Sequence, residues 1–145
     1  MEIEQTSPAD AQARLDSDSA VVYLDVRSSP EFADGHPAGA LNIPIAEAAP
    51  GGGPLTPNSR FLDEVAAALD TSRTIIVGCL SGGRSQRACE LLAQAGYANV
   101  TNMQGGFGGA RDQAGNVVIA GWRDAGLPVE TGQPEGRSYQ ALRSS

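Results

Sequence analysis

Short apolar runs separated by helical stripes dominate the hydrophobic pattern of this chain. A continuous apolar run over Ala20–Val26 is typical of a strand that is buried on both faces of a parallel sheet. A second run, Thr74–Val77, is β-branched and ends at Gly78, so it predicts another buried strand. Briefer strands are predicted around Ile3 and over Ala40–Pro44 and Ala98–Met103.

Helices are predicted between these strands from capping residues and from apolar positions at helical spacing. Ser7 before Pro8 is a typical helix start, and either Asn58 or Ser59 is the predicted cap of a later helix. The predicted helices run from Ser7 to about Asp16, from Ser28 for one or two turns, from Arg60 to Leu69, and from about Ser85 to Gly96. Strands that alternate with helices indicate an α/β fold, whose parallel or mostly parallel sheet has about four or five strands and is covered on both faces.

The remaining segments are less regular. Residues 49–57 are rich in Gly and Pro and predict a surface loop. A turn at Ala114–Asn116 precedes an extended segment, and a short helix is predicted within Gly121–Val129. The stretch from Thr131 to Ser145 is polar and aperiodic, so we expect it to be mostly disordered. We therefore interpret residues 1–130 as one domain and residues 131–145 as a tail.

The net charge of the chain limits the classes of partner that it is expected to bind. Its 145 residues include 17 acidic and 10 basic side chains, a net charge of −7, and all of the basic side chains are arginine. Nucleic acids and anionic membranes are not expected as partners, because both are bound mainly by basic patches. No apolar run approaches the about 18 residues of a spanning helix, and the acidic N-terminus is unlike a secretory signal. With only two cysteines, we expect a cytoplasmic protein.

The stretch Thr74–Gly96 carries the candidate chemistry. Cys79 follows the predicted buried strand, and a loop containing Gly82 and Gly83 leads into an amphipathic helix. In an open α/β sheet, ligands bind at such a position, because loop N–H groups and the positive end of the helix converge there. We expect a cysteine so placed to ionise readily and to act as a nucleophile, with Arg84 adding positive charge.

Three segments occur in an order and spacing that define a known family. They are LDVRSSPEFADGHPAGALNIP over Leu24–Pro44, CLSGGRS over Cys79–Ser85, and GGF over Gly105–Phe107, the last joined later by WRDAGLPV over Trp122–Val129. In these segments the chain resembles the single-domain rhodaneses, the rhodanese-like sulfurtransferases. The resemblance extends over roughly Ser7–Val129.

The resemblance implies a rhodanese-like α/β fold with a five-stranded, mainly parallel sheet flanked by helices on both faces. It also implies that a cysteine takes a sulfane sulfur from a donor such as thiosulfate and becomes a persulfide. The sulfur then passes to cyanide or to a thiol, including that of a redox protein. By position, Cys79 matches the sulfur-carrying residue. The substrate-binding loop would comprise Leu80, Ser81, Gly82, Gly83, Arg84 and Ser85.

Other residues near these segments are predicted to have supporting roles. Asp25 and Arg27 lie at the carboxyl end of a strand, and Arg27 is predicted to pair with Glu31, four residues later, beneath the loop. His36 is the only histidine and is expected to be structural. Cys89 lies at the border of an apolar helical stripe, where a buried hydrophobic role is favoured over that of a resolving thiol.

Between Phe107 and Trp122 the chain is about ten residues longer than many family members. This insertion follows the carboxyl end of a strand. It either overhangs the mouth of the active site or forms a surface hairpin without consequence. The sequence therefore leaves the identities of the donor and the acceptor open.

Two other functions remain open as alternatives. Dual-specificity phosphatases and arsenate reductases share this fold and use a loop cysteine and arginine, but their loops hold one more residue between the two than the four that separate Cys79 from Arg84. A non-catalytic binding or regulatory module is the other alternative, although such modules often lack the cysteine. No metal or other cofactor is predicted, because no residues show metal-ligand spacing and the glycines match no nucleotide-binding fingerprint.

Overall fold

The computed structural model of the protein describes residues 3–47, 53–134 and 136–143. The strands are β1 (Glu4–Thr6), β2 (Val22–Asp25), β3 (His36–Pro37), β4 (Leu41–Asn42), β5 (Ala46–Glu47), β6 (Thr56–Pro57), β7 (Ile75–Gly78), β8 (Val100–Met103), β9 (Ala110–Arg111), β10 (Val117–Ile119) and β11 (Val129–Glu130). The helices are α1 (Pro8–Ser17), α2 (Ser29–Asp34), α3 (Phe61–Ala68), α4 (Gly83–Gln94) and α5 (Tyr139–Arg143).

The central sheet has five strands in the order β1-β8-β7-β2-β4, and every pairing is parallel. This confirms the predicted α/β class and its five-stranded sheet. Because β7 lies between β8 and β2 and is parallel to both, its carboxyl end lies beside the carboxyl ends of these two strands. Cys79 directly follows the last residue of β7. The pairs β3–β11, β5–β6 and β9–β10 are short and antiparallel.

Alternate side chains of the strands pack into two separate apolar cores, one on each face of the sheet. In β7, Ile75 and Val77 contact the core that includes side chains of α3, α4 and α5. Ile76 lies in the opposite core, together with Ala11 of α1 and Phe32 of α2. Both faces of the sheet are thus covered, as the continuous apolar runs predict.

Several predicted helix ends differ from those observed. The helix after the cysteine loop begins at Gly83, two residues before the predicted Ser85, because Gly82 takes a left-handed conformation at φ 118° and caps it. Helix α3 starts at Phe61, one residue later than predicted, and the Asn58 side chain accepts a hydrogen bond from the Arg60 N–H just before it. At α1, Ser7 caps the helix as predicted, by accepting a hydrogen bond from the Asp10 N–H.

Two further segments differ, wholly or in part, from their predicted structure. The helix predicted within Gly121–Val129 was wrong, since this segment forms hydrogen-bonded turns around Trp122 and then strand β11. The buried Trp122 ring donates its N–H to the Pro128 carbonyl at 2.7 Å, and this contact folds the segment back on itself. The loop predicted over residues 49–57 falls partly on residues 49–52, outside the described ranges, and its last two residues form β6.

Residues 136–143 pack against the domain, in contrast to the disorder predicted from their polarity. Tyr139 is only 8% exposed, joins the core beside α3, and donates its hydroxyl to the Glu64 carboxylate at 2.9 Å. Arg137 forms an ion pair with Glu130 of β11. Two anchoring side chains therefore dock a segment whose average composition is polar. The domain boundary near residue 130 stays a prediction.

Candidate active site

The Cys79 thiol lies at the end of β7, where it is 2% exposed and faces into the loop that follows. The Gly82 N–H donates a hydrogen bond to Cys79 Sγ at 3.1 Å, and Sγ lies 3.4 Å from the Ser85 hydroxyl oxygen. The loop therefore curls around the sulfur, as its glycines predict. A negative charge on sulfur would find donors already in place.

The loop is held from behind by the glycine-rich turn after β8. The Phe107 N–H donates to the Cys79 carbonyl, and the Gly108 N–H donates to the Leu80 carbonyl, both at 2.8 Å. In a trans peptide the N–H points away from the carbonyl of the same unit. The N–H groups of Leu80 and Ser81 are therefore turned away from the glycine turn.

Gly106 makes this close contact between turn and loop possible. Its φ is 55°, and a Cβ atom at this position would lie 2.5 Å from the Cys79 carbonyl oxygen. A larger residue would push the turn away from the loop and break both hydrogen bonds. The sequence predicted backbone freedom in this glycine run but not its role in supporting the cysteine loop.

Arg84 and Glu31 form a two-point ion pair that joins α4 to α2. Arg84 Nη1 donates to Glu31 Oε1 at 2.7 Å, and Nη2 donates to Oε2 at 2.9 Å. Burial alone would raise the pKa of Glu31, but hydrogen bonds from Arg84 and Ser28 lower it from 4.5 to about 2. The predicted Arg27–Glu31 pair is thus wrong: Glu31 holds the arginine of the loop itself.

Arg27 instead pairs with Asp25 in a buried cluster behind the loop. Arg27 Nη2 donates to Asp25 Oδ2 at 2.7 Å and to the Gly35 carbonyl at 2.6 Å, and both charged residues are nearly inaccessible. The guanidinium also lies 4.6 Å from the centre of the Phe107 ring. Because Phe107 follows Gly106, the pair stabilises the turn on which the loop rests.

A cleft of about 280 Å³ adjoins the loop. Its walls include Leu80 of the loop, Glu31 and Asp34 of α2, and Phe107 and Arg123 from the C-terminal part of the domain. Three larger cavities among the described residues, of about 740, 650 and 420 Å³, have no loop residue in their walls. The small cleft thus opens beside the loop at Leu80, on the side of Glu31.

The predicted insertion forms a hairpin, β9–β10, with its turn at Asp112–Asn116. Ile119 at its base packs so closely on Gly105 that a Cβ there would lie 2.6 Å from the Ile119 side chain. Val117 and Val118 are 51% and 60% exposed. The hairpin thus packs, through Ile119, against the glycine-rich turn that supports the cysteine loop.

Comparison with known proteins identifies the family to which this chain belongs. The family model of the rhodanese-like domain matches residues 7–112. The chain belongs to the rhodanese-like family. Thiosulfate sulfurtransferase 16, chloroplastic, from Arabidopsis thaliana is 37% identical over 74% of this chain and 78% of its own length, and thiosulfate sulfurtransferase 18 from the same plant is 35% identical over 86% and 83%.

Solved structures agree with the family assignment. A crystal structure of a protein from M. tuberculosis superposes on this rhodanese-like domain with a TM-score of 0.75 and 29% identity, and the match covers 91% of this chain and all of the other. The predicted rhodanese-like fold is confirmed. The relatives place the chain among sulfurtransferases at the level of the family.

The rhodanese-like domain brings the predicted loop residues together, and it buries two other candidates, Cys89 and His36. Cys89 is fully buried, and burial, followed by the charge of Glu90, raises its pKa to about 12. His36 is also fully buried, stacks on Phe32, and places its two ring nitrogens against the Phe32 carbonyl and Glu130. This contact set agrees with the structural role predicted for His36.

Sequence reasoning missed Asn102 and Gln5, which lie behind Ser85 in a chain of hydrogen bonds. Asn102 is 4% exposed, and its side chain contacts Ser85 on one side and Gln5 on the other. The available signal was an amide in the middle of an otherwise buried strand, since a buried polar group requires a partner. Within the described residues, no group of side chains could hold a metal ion, and no helix is long and apolar enough to cross a membrane.

Proposed function

We propose that this protein is a thiosulfate sulfurtransferase in which Cys79 carries the transferred sulfur as a persulfide. The observation that supports this most directly is the placement of Cys79 Sγ within reach of the Gly82 N–H and the Ser85 hydroxyl. The matching relatives that are themselves named thiosulfate sulfurtransferases support the same reaction class.

In the first half-reaction the Cys79 thiolate attacks the sulfane sulfur of thiosulfate. A new S–S bond forms to Cys79, the S–S bond within thiosulfate breaks, and sulfite leaves with the electron pair. The persulfide then bears the negative charge on its terminal sulfur, where N–H groups of the loop can solvate it. Arg84 has donors besides the two that bind Glu31, and these are available to the anionic donor.

In the second half-reaction an acceptor attacks the terminal sulfur. Cyanide or a thiolate forms a bond to that sulfur, the persulfide S–S bond breaks, and the Cys79 thiolate is regenerated. No external oxidant or reductant is required. The cleft beside Leu80 and Arg123 is the proposed approach for a small thiol or for the exposed thiol of a redox protein. Both cysteines are free, which agrees with a reducing compartment such as the cytoplasm.

Mass spectrometry before and after incubation with thiosulfate tests the proposal. The intact protein should gain the mass of one sulfur atom, located on the peptide that contains Cys79 and removed by cyanide. Cys79→Ala should abolish both the mass gain and turnover while keeping the melting temperature, because alanine leaves the loop backbone unchanged. Absence of any sulfur on Cys79, with no turnover on thiosulfate, would refute the proposed function.

A further inference from the structure

A line of polar side chains connects the Cys79 sulfur to the edge of the sheet. The Ser85 hydroxyl faces Cys79 Sγ, the Gly82 carbonyl oxygen at 3.1 Å, and Asn102 Oδ1. Asn102 Nδ2 donates to Gln5 Oε1 at 2.8 Å. Ser85 and Asn102 are both buried, so water cannot replace these partners freely.

The orientation of the Asn102 amide is fixed by Gln5. Gln5 Nε2 donates to the Ile3 carbonyl at 3.1 Å and to Gln86 Oε1 at 2.7 Å, which leaves Gln5 Oε1 facing Asn102. Asn102 must therefore present its N–H₂ to Gln5 and its oxygen to Ser85. Turning the Gln5 amide over would set its oxygen against the Ile3 carbonyl oxygen, which is unfavourable.

The Ser85 hydroxyl has one proton and more than one acceptor for it. When Cys79 is a thiol, its S–H can donate to the Ser85 oxygen while Ser85 donates to Asn102. When Cys79 is a thiolate or a persulfide anion, the Gly82 N–H already donates to the sulfur, and a second donor would stabilise it further. The Ser85 proton has to turn away from Asn102 to supply that second hydrogen bond. This change would leave the buried oxygen of Asn102 without its donor.

We infer that Asn102 is a positioning residue, which holds the Ser85 proton away from Cys79 in the resting enzyme and so opposes formation of the sulfur anion. The inference rests on the proposed function for its biological meaning. Its physical content, the reactivity of Cys79, can be measured without any sulfur transfer. The hydrogen bonds of the Asn102 side chain among the described residues go to Ser85 and Gln5, so Asn102 acts on Cys79 through Ser85.

The test is the rate of Cys79 alkylation by iodoacetamide at a fixed pH near neutrality, followed by mass spectrometry. Asn102→Leu removes the side-chain acceptor that competes for the Ser85 proton and leaves the Gly82 carbonyl as the remaining competitor. The exposed Gln5 can turn to water, so alkylation should be about two- to tenfold faster. Ser85→Ala removes the donor and should slow it. In the double variant the rate should equal that of Ser85→Ala, because Asn102 has no route to the sulfur without Ser85.

Two controls separate positioning from loosening of the fold. Cys89 lies buried on α4, the helix that also carries Ser85, and should stay unlabelled by iodoacetamide in every variant. Thr101→Val removes an equally buried polar group from the adjacent position of β8, where Thr101 contacts Arg14 and not Ser85, and should leave the Cys79 rate unchanged. Labelling of Cys89, or an equal acceleration by Asn102→Leu with and without Ser85, would overturn the inference.

Gln5→Leu provides a second route if Asn102→Leu fails to fold. This surface change frees the Asn102 amide to turn and donate to Ser85, so Cys79 alkylation should again be faster. An unchanged or slower rate would contradict the inference. If the rates behave as expected but thiosulfate adds no sulfur to Cys79, the proposed function fails while the positioning role stands.

Discussion

The charges nearest the cysteine loop are neutralised within the protein itself. Arg84 is bound at two points by Glu31, and Arg27 is bound by Asp25. Under the proposed function, binding of an anionic donor would therefore depend on backbone N–H groups and on the remaining donors of Arg84. The sequence could suggest the loop residues as one group because they are contiguous. It paired Arg27 with Glu31 wrongly, because spacing along a helix does not reveal a partner from another element.

Arg84→Ala should lower kcat/KM for thiosulfate by about ten- to a hundredfold, through lost charge-assisted hydrogen bonds. It also leaves the Glu31 carboxylate, 29% exposed, without its arginine. Adding Glu31→Gln should recover melting temperature but not the use of thiosulfate. The matched control is Arg87→Ala, since Arg87 is 61% exposed and contacts Glu90 on the same helix. If the double variant regained full activity, Arg84 would serve only to hold Glu31.

At the scale of elements, the sequence predicts what is locally encoded and misses what depends on a partner. The buried strands β2 and β7 and the turn of the β9–β10 hairpin follow from apolar runs and from turn residues. Strands β3 and β11 have two residues each and exist only because they pair with one another. The helix around Trp122 was predicted wrongly for the same reason. The Trp122 ring is buried in a core built from distant parts of the chain and donates a hydrogen bond to Pro128, and these contacts determine the conformation of the segment.

The hairpin offers a test of how an inserted element affects the site. Replacing Arg111–Ala120 by a two- or three-residue link removes Ile119 from Gly105, so the turn behind the loop loses a support. We expect KM to change unequally for thiosulfate and for a bulkier aryl thiosulfonate. Val118→Ser keeps the hairpin and should leave both constants unchanged. Equal changes for the two donors would indicate that the hairpin does not shape access to the loop.

At the scale of the whole molecule, the site is assembled from distant parts of the chain. Glu31 reaches Arg84 across 53 positions, and Gln5 reaches Asn102 across 97. Such pairs carry no local pattern. The sequence therefore suggests Cys79 and its loop as candidates but does not reveal the contacts that orient them. The docked segment over residues 136–143 is a similar case, because one tyrosine and one arginine outweigh its polar composition.

Ending the chain after Thr131 should lower the melting temperature by about 5 °C or more. The reason is the loss of Tyr139 burial, for which about 1.5–3 kcal/mol is typical of a large apolar side chain, together with the Arg137–Glu130 pair. Thermal denaturation of the full and shortened chains measures this directly. A disordered tail, as the sequence pattern predicts, would leave the two melting temperatures equal.

The same truncation should have a pH dependence whose sign follows from Glu130. Hydrogen bonding from Arg137 is the largest cause that lowers the pKa of Glu130 from 4.5 to about 2. A carboxylate with a lowered pKa stabilises the folded state fully above its unfolded value, and this contribution is lost as the pH falls towards the folded value. The difference in melting temperature between the full and shortened chains should therefore be constant above about pH 5 and shrink from there towards pH 2. When the full and shortened chains both carry Glu130→Gln, whose glutamine carries no charge at any pH, the difference should no longer shrink at low pH. A difference that still shrinks would assign the pH dependence to a group other than Glu130.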